Sequence, residues 1–312
     1  MMSRPPFRSK LSRRDGFNLY TLENDHVSLE IVPELGGKMS SLRCVPSGRE
    51  WLWAPTAERR LHASPTPNDF LRSSLIGADE CIPTIAASTV GDRSYPDHGE
   101  AWSRPWTIDR QAWSNEGTIV TTVLLPTSEA RFTRTVSLDG EIVRLSYQAH
   151  NLSSARPWQF IYSFHPLLAP QPGDVIVLPA EVSRVHVENW DGAIAMWPQI
   201  VPGARADHLD VSGITPATLK MTTADPLLEP TARVVNSVTG DQLRFDCDDP
   251  LITALGIYIN RAGWGGHHHF AIEPTNARAD ALAVCLDRRL GGQVLDPGAS
   301  VAWSFSLRVS QG

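Results

Sequence analysis

Apolar and polar residues alternate over long stretches of this chain, and a period of two is the pattern of β-strands with one buried face. Arg131–Leu138 and Glu141–Ala149 alternate in this way, and between them lies Asp139-Gly140, a dipeptide typical of tight hairpin turns. The sequence therefore predicts an antiparallel hairpin here and a further strand at Val301–Val309. Other strands are predicted at Phe17–Leu22, His26–Val32, Lys38–Leu42, Gly117–Leu125, Asp174–Leu178, Val182–Glu188, Ala232–Val238, Gln242–Cys247 and Thr253–Ile259.

Turn residues between these short strands indicate the fold class. The chain has 24 prolines and 22 glycines, and no stretch has the periodicity of an amphipathic helix of four turns. Residues 55–70 are rich in Pro, Ala, Thr and Ser, which is typical of a long surface loop. We predict an all-β protein of large antiparallel sheets with few helices, a β-sandwich, and we expect residues 16–312 to form one domain.

Composition narrows the classes of function. The chain has 312 residues, a net charge of −6 and a pI near 5.9, which argues against a nucleic-acid-binding surface. No apolar run approaches the roughly 20 residues of a membrane span. Four scattered cysteines without a CxxC pair predict reduced, mostly buried thiols and a cytoplasmic protein. Residues 1–15 are basic and no apolar segment of a secretory signal follows, so we expect a flexible arm there.

The stretch His267–Thr275 is the first candidate for chemistry. On a strand, its apolar residues point to one face while His267, His269 and Glu273 point to the other. Pro274 has no backbone N–H, so we expect the strand to end at or near Glu273. This arrangement predicts a carboxylate and two imidazoles beside a ligand, and the alternative is a solvated face with a chance run of histidines.

Two further stretches carry candidate residues. In Trp158–Pro166, the aromatic side chains share one face and His165 lies on the other, at the end of a strand. Tyr95–Trp106 contains His98 and Trp102, whose flat apolar ring is of the type on which sugars stack. Each stretch also has a structural interpretation, as a hydrogen-bonded histidine or as a loop covered by tryptophans.

In this order, the three stretches resemble the galactose mutarotase-like (aldose 1-epimerase) superfamily. The likeness covers most of the chain after about residue 15 and includes a Pro-x-x-Gly-Gly segment at Pro33–Gly37. The resemblance implies a β-supersandwich that interconverts the α and β anomers of a free sugar without a cofactor. It implies that Glu273 is the general base, His165 the general acid, and His98 a partner of the sugar hydroxyls.

An arginine and an aspartate also belong to the family pattern. Arg72 is the candidate for an arginine that the family places upstream of its first histidine. The family's aspartate has no convincing match, and Asp191 is the nearest candidate. His269, Trp102 and Glu100 are the other candidates for contacts in the sugar pocket.

The kind of sugar is indicated by a departure from the family. Hexose-6-phosphate mutarotases of this superfamily tend to carry arginines in HGFAR and IRGG segments, where this chain has His98–Trp102 and Ile76–Glu80. Acidic and aromatic residues stand where cations would hold a phosphate, so we expect an unphosphorylated hexose. Adjacent Asp79 and Glu80 would face opposite sides of a strand, and we do not expect them to act as one catalytic pair.

The chemistry of ring opening suits these residue types. It needs a base for the proton of the anomeric hydroxyl and an acid for the ring oxygen, roles that a carboxylate and an imidazolium fill near neutral pH. The sequence has no glycine-rich phosphate loop, GxSxG or zincin motif. The alternatives are a carbohydrate-binding protein without turnover, a lyase or isomerase on the same scaffold, and a metal-dependent sugar isomerase or lyase using His267, His269 and Glu273.

Overall fold

The computed structural model describes residues 7–66, 68–113, 117–188, 192–200, 205–209 and 217–312. Within these residues the chain forms 23 strands and one α-helix, α1 (Leu282–Arg288), with short 3-10 turns at Pro33–Leu35 and Phe70–Arg72. The strands are β1 (Arg8–Arg14), β2 (Phe17–Glu23), β3 (Val27–Val32), β4 (Lys38–Cys44), β5 (Ala78–Cys81), β6 (Ser88–Val90), β7 (Arg93–Tyr95), β8 (Thr107–Ile108), β9 (Thr118–Leu125), β10 (Ala130–Asp139), β11 (Ile142–Asn151), β12 (Trp158–Phe160), β13 (Ser163–Pro166), β14 (Asp174–Val177), β15 (Arg184–Val187), β16 (Ala193–Met196), β17 (Thr218–Thr223), β18 (Thr231–Asn236), β19 (Asp241–Asp246), β20 (Ala254–Arg261), β21 (His268–Thr275), β22 (Gln293–Leu295) and β23 (Ser300–Gln311).

Two large antiparallel sheets dominate the described part of the chain. The first has eleven strands in the order β1-β2-β3-β4-β5-β13-β21-β20-β17-β15-β16, and the second has eight in the order β14-β18-β19-β23-β11-β10-β9-β8. Aromatic and aliphatic side chains of both sheets pack into one buried core, in which Phe164 of β13 contacts Phe305 of β23 at a ring distance of 5.5 Å. The architecture is a β-supersandwich, and the predicted all-β class is confirmed.

Most predicted strands are present, and β10 and β11 form the predicted hairpin, but its two-residue turn is Gly140-Glu141 because Asp139 still pairs with Ile142. The predicted single strand over 158–166 is wrong. It is divided into β12, which pairs with β22, and β13, which pairs with β5 and β21. The backbone N–H groups of Ile161 and Tyr162, between the two strands, instead donate to Pro83 O and to the side chain of Asn276. The strand expected to end near Glu273 continues through Pro274 to Thr275.

The flexible arm expected over residues 1–15 is wrong for the part that forms β1, the edge strand of the first sheet. Asp15 and Gly16 have φ values of 50° and 90°, and this tight turn pairs β1 with β2 in register. The basic side chains find carboxylate partners on neighbouring strands, as in the Arg14–Glu30 pair at 3.1 Å. The Asp15-Gly16 turn therefore makes this basic segment a strand, although its composition suggested a flexible arm.

All four cysteines are buried with free thiols, as their spacing predicts. Within the described ranges, no helix has both the length and the apolar character needed to cross a membrane.

A buried ion pair joins the two sheets. Arg134 of β10 lies 2.9 Å from Glu80 of β5, both are fully buried, and the hydroxyls of Tyr147 and Tyr162 donate to the same carboxylate at 3.0 and 2.9 Å. Burial raises the pKa of Glu80 although Arg134 opposes this shift. The hydrogen bonds from Arg134 and the two tyrosines therefore offset the cost of burying this carboxylate.

Replacing Arg134 by methionine is expected to lower the free energy of unfolding by about 3–5 kcal/mol, because it leaves the Glu80 carboxylate buried without its cation. Urea unfolding measures the change. Arg144→Met is the control, since Arg144 pairs with Asp139 at the surface at 3.7 Å, and it is expected to cost less than about 1 kcal/mol. Equal losses in the two variants would contradict this account.

Candidate active site

The candidate site lies on the face of the first sheet that points away from the second. Phe164 packs into the core between the sheets, so the next residue of β13, His165, points to the opposite face. The register of β13 and β21 pairs Ser163 with Thr275. Continued by two residues, this pairing sets His165 directly opposite Glu273, so two distant segments of the sequence meet across neighbouring strands.

Glu273 lies behind the wall of the site and is fully buried. Both of its carboxylate oxygens accept hydrogen bonds from Nζ of Lys220, at 2.8 and 2.6 Å. Nε2 of His165 lies 3.6 Å from Oε1 of Glu273, which is longer than a good hydrogen bond. The carboxylate and the imidazole are therefore adjacent without being bonded to each other.

A cavity of about 260 Å³ opens in front of His165 and Lys220, and Glu273 lies directly behind these two side chains. Polar groups on its wall include Asp97, His98, His269 and Asp280, and apolar groups include Phe70, Ile85, Leu167, Tyr258 and Trp264. A concave site with aromatic walls and a few convergent polar groups suits a small ligand such as a sugar.

The ring of His98 is held in place by Asp97 and Phe70. Its Nδ1 lies 2.9 Å from the carboxylate of Asp97, and its ring stacks on Phe70 with the ring centres 3.7 Å apart and the planes 7° from parallel. The next residue must be glycine, because Gly99 has a φ of 73° and a Cβ there would lie 2.2 Å from Ile82 O. With Nδ1 bound to Asp97, Nε2 is left for a ligand.

His269 is buried at 3% exposure and its ring packs on Trp53, with the centres 4.6 Å apart. Burial, together with the neighbouring His267 and His268, lowers the pKa of His269 to about 4, so it is a neutral imidazole near pH 7. The prediction that His267 faces the ligand is wrong, since its ring packs against Trp53 and Trp264 and does not line the cavity. Among the residues that the structure describes, no group of three or more His, Cys, Asp or Glu is placed to hold a metal ion.

His165 has a pKa well below its usual value. The main cause is the loss of solvent around the ring, and the neighbouring His98, Lys220 and His269 add to it. In the sugar-free site His165 is therefore neutral at pH 7. Any role as an acid requires the protonated minority, which is a stronger acid than an ordinary imidazolium.

Two polar residues of the site were not predicted from the sequence. Lys220 lies on β17, which was not predicted to be a strand, and Asp280 lies in the turn before α1. A usable signal was present, because the chain has only three lysines and Lys220 stands between Leu219 and Met221, whose side chains would face the core. A lone lysine on a strand without other charged residues, between two apolar neighbours, indicates a buried partner.

Two predicted sugar contacts are corrected by the structure. Arg72 is 70% exposed in its side chain, lies 3.9 Å from Asp69 and does not line the cavity. Trp102 is buried, with its indole N–H donating to Asp97 O at 3.0 Å and its ring edge against Phe70. It therefore supports the loop that carries His98 and offers no face to a ligand.

Glu100 and Asp79, the acidic residues that led us to expect an unphosphorylated sugar, lie outside the cavity. Glu100 accepts hydrogen bonds from the backbone of Thr127 and Ser128, and Asp79 pairs with Lys38 at 2.5 Å. Asp79 and Glu80 bind separate partners, as their adjacent positions on a strand predict. Asp191 lies outside the described residues.

Comparisons with solved structures place this fold among known ones, although no family model and no curated protein sequence matches the chain. The Slr1438 protein of Synechocystis sp. PCC 6803 aligns with a TM-score of 0.70 at 16% identity, over 99% of this chain and 97% of that one. A galactose mutarotase related enzyme from Lactobacillus acidophilus aligns at 0.68 and 16% identity, over 94% and 97%. A galactose mutarotase-like protein from Clostridium acetobutylicum aligns at 0.69 and 14% identity, over 99% of both chains. At these identities the likeness shows the fold.

Proposed function

We propose that this chain, which has the galactose mutarotase-like fold, is an aldose 1-epimerase that interconverts the α and β anomers of a free, unphosphorylated hexose. The observation that carries the proposal is the 3.6 Å separation of His165 Nε2, on the wall of the cavity, and Glu273 Oε1 behind it. The anomeric hydroxyl oxygen and the ring oxygen are bonded to the same carbon. A base and an acid that act on both must therefore reach the same part of the cavity.

In the proposed reaction, Glu273 takes the proton of the anomeric hydroxyl while the bond between C1 and the ring oxygen breaks. Protonated His165 gives its proton to that ring oxygen, and the product is the open-chain aldehyde. Rotation about the C1–C2 bond exposes the other face of the aldehyde, and both proton transfers then run in reverse. Each transfer is a general acid or base step that typically contributes about 10²–10⁴-fold.

The remaining groups of the cavity hold the sugar in this mechanism. Nε2 of His98, the imidazole of His269 and the Asp280 carboxylate are available for sugar hydroxyls around the wall. The ring of Trp264, rather than that of Trp102, offers an apolar surface to the C–H face of a sugar.

The charges of the cavity support a neutral sugar. Asp97 and Asp280 line it, and its cation, Lys220, is already paired with Glu273 and Asp280. Of the described residues, no arginine lines the wall. A phosphate dianion would therefore meet carboxylates without an arginine to bind it.

Polarimetry on freshly dissolved α-glucose and α-galactose tests the proposal. The decay to the equilibrium rotation is expected to accelerate in proportion to enzyme concentration, with the 6-phosphates slower than the free sugars. A sugar that raises the melting temperature without any acceleration would indicate a binding protein. No acceleration and no thermal shift with either hexose would overturn the proposal.

A further inference from the structure

Lys220 reaches Glu273 across an intervening strand. In the first sheet β20 separates β17 from β21, and Gly256 of β20 pairs directly with Glu273. A Cβ at Gly256 would lie 3.1 Å from both Cβ and Oε2 of Glu273. No side chain of β20 therefore fills the space beside the carboxylate at Gly256, and the long side chain of Lys220 can extend across it.

Lys220 lies between two carboxylates. Its Nζ bonds both oxygens of Glu273 and lies 3.6 Å from Oδ1 of Asp280, and its side chain is 13% exposed, towards the cavity. Burial alone would lower the pKa of this amine, but the charges of Asp280 and Glu273 outweigh burial and raise it. Lys220 is therefore a fixed positive charge beside the proposed base.

We propose that Lys220 is the positioning residue of this site. It fixes the orientation of the Glu273 carboxylate and is itself held by Asp280. The assignment rests on the proposed epimerase function. Two charge-assisted hydrogen bonds from one ammonium fix the plane of the carboxylate, and a misplacement of about 1 Å in a reacting group can cost about 10²-fold in rate.

The same charge acts on the proposed acid. The groups that face His165 are His98 and Asp97 from the loop after β7, Lys220 from β17, and His269 and Glu273 from β21, with Asp280 behind Lys220. Lys220 is a cation among them and disfavours the imidazolium. Removing it leaves Glu273 as the nearest charge, and a carboxylate favours the imidazolium.

Lys220→Met tests the assignment in the full-length chain. We expect kcat to fall about 10-fold or more while KM changes by less than about threefold, because the carboxylate loses its orientation and the sugar keeps its hydroxyl partners. The alkaline limb of the pH profile of kcat/KM is expected to move up by about one pH unit, because His165 holds its proton to higher pH. Lys220→Gln keeps a hydrogen-bond donor but loses the charge, so it should show the same movement of the limb with a smaller loss of kcat.

Lys38→Met is the matched control, because Lys38 is also buried and paired, with Asp79, on the same sheet but outside the cavity. It is expected to lower stability without moving the pH limb. An unchanged limb in both Lys220 variants, a rise in kcat, or a loss confined to KM would overturn the assignment. So would failure of both Lys220 variants to fold while Lys38→Met folds. An inactive wild type would instead overturn the epimerase proposal itself.

Discussion

Replacing Glu273 by glutamine is expected to lower catalysed mutarotation of α-galactose or α-glucose by about 10²-fold or more. The amide has nearly the same shape and can still accept a hydrogen bond from Lys220, but it cannot take the proton of the anomeric hydroxyl. The loss should appear in kcat, because the other polar groups of the cavity still bind the sugar. Polarimetry measures the rate, and the melting temperature shows whether the variant is folded.

Glu30→Gln is the control for this variant. Glu30 lies on β3 of the same sheet and pairs with Arg14, away from the cavity. Its rate is expected to equal that of the wild type. If Glu273→Gln retained activity within a few fold of the wild type, Glu273 would not be the base.

Replacing His165 by alanine is expected to lower the rate by about 10²-fold or more as well, because the ring oxygen loses its proton donor. The change leaves a space the size of an imidazole beside Glu273, so added imidazole is expected to restore part of the rate. His150→Ala, on β11 of the second sheet, is the control and should keep the wild-type rate. Full activity of His165→Ala without imidazole would remove this residue from the mechanism.

The pH profile adds a signature for His165. The acid must carry a proton, and it does so only below its pKa, which burial and the neighbouring His98, Lys220 and His269 hold well below the ordinary value of about 6.5. The kcat/KM of the wild type is therefore expected to fall with rising pH, in a limb that lies on the acid side of 6.5. His165→Ala should lack this limb.

The residues of the site that could be predicted from the sequence are those in local patterns. Glu273, His269 and His165 lie on strands whose opposite faces are apolar. His98 precedes Gly99, whose left-handed backbone conformation favours glycine. Period-two alternation fixes the face of a side chain, and the structure places His98, His165 and His269 on the wall of one cavity with Glu273 behind His165.

The rest depends on contacts between distant segments. Lys220 belongs to the site because β17 and β21 flank β20, and that strand order is not written in any local pattern. Arg72 and Trp102 have suitable side chains, but one points to solvent and the other packs beneath the loop of His98. Residue type suggests what a side chain can do, whereas its direction is set by the packing of the loops.

A crystal structure of the protein with bound galactose or glucose tests the central claim most directly. We expect the anomeric hydroxyl within about 2.6–3.2 Å of a Glu273 oxygen and the ring oxygen within the same distance of His165 Nε2. A sugar bound in this cavity with its anomeric carbon turned to the mouth, or a sugar bound only elsewhere on the protein, would contradict the claim.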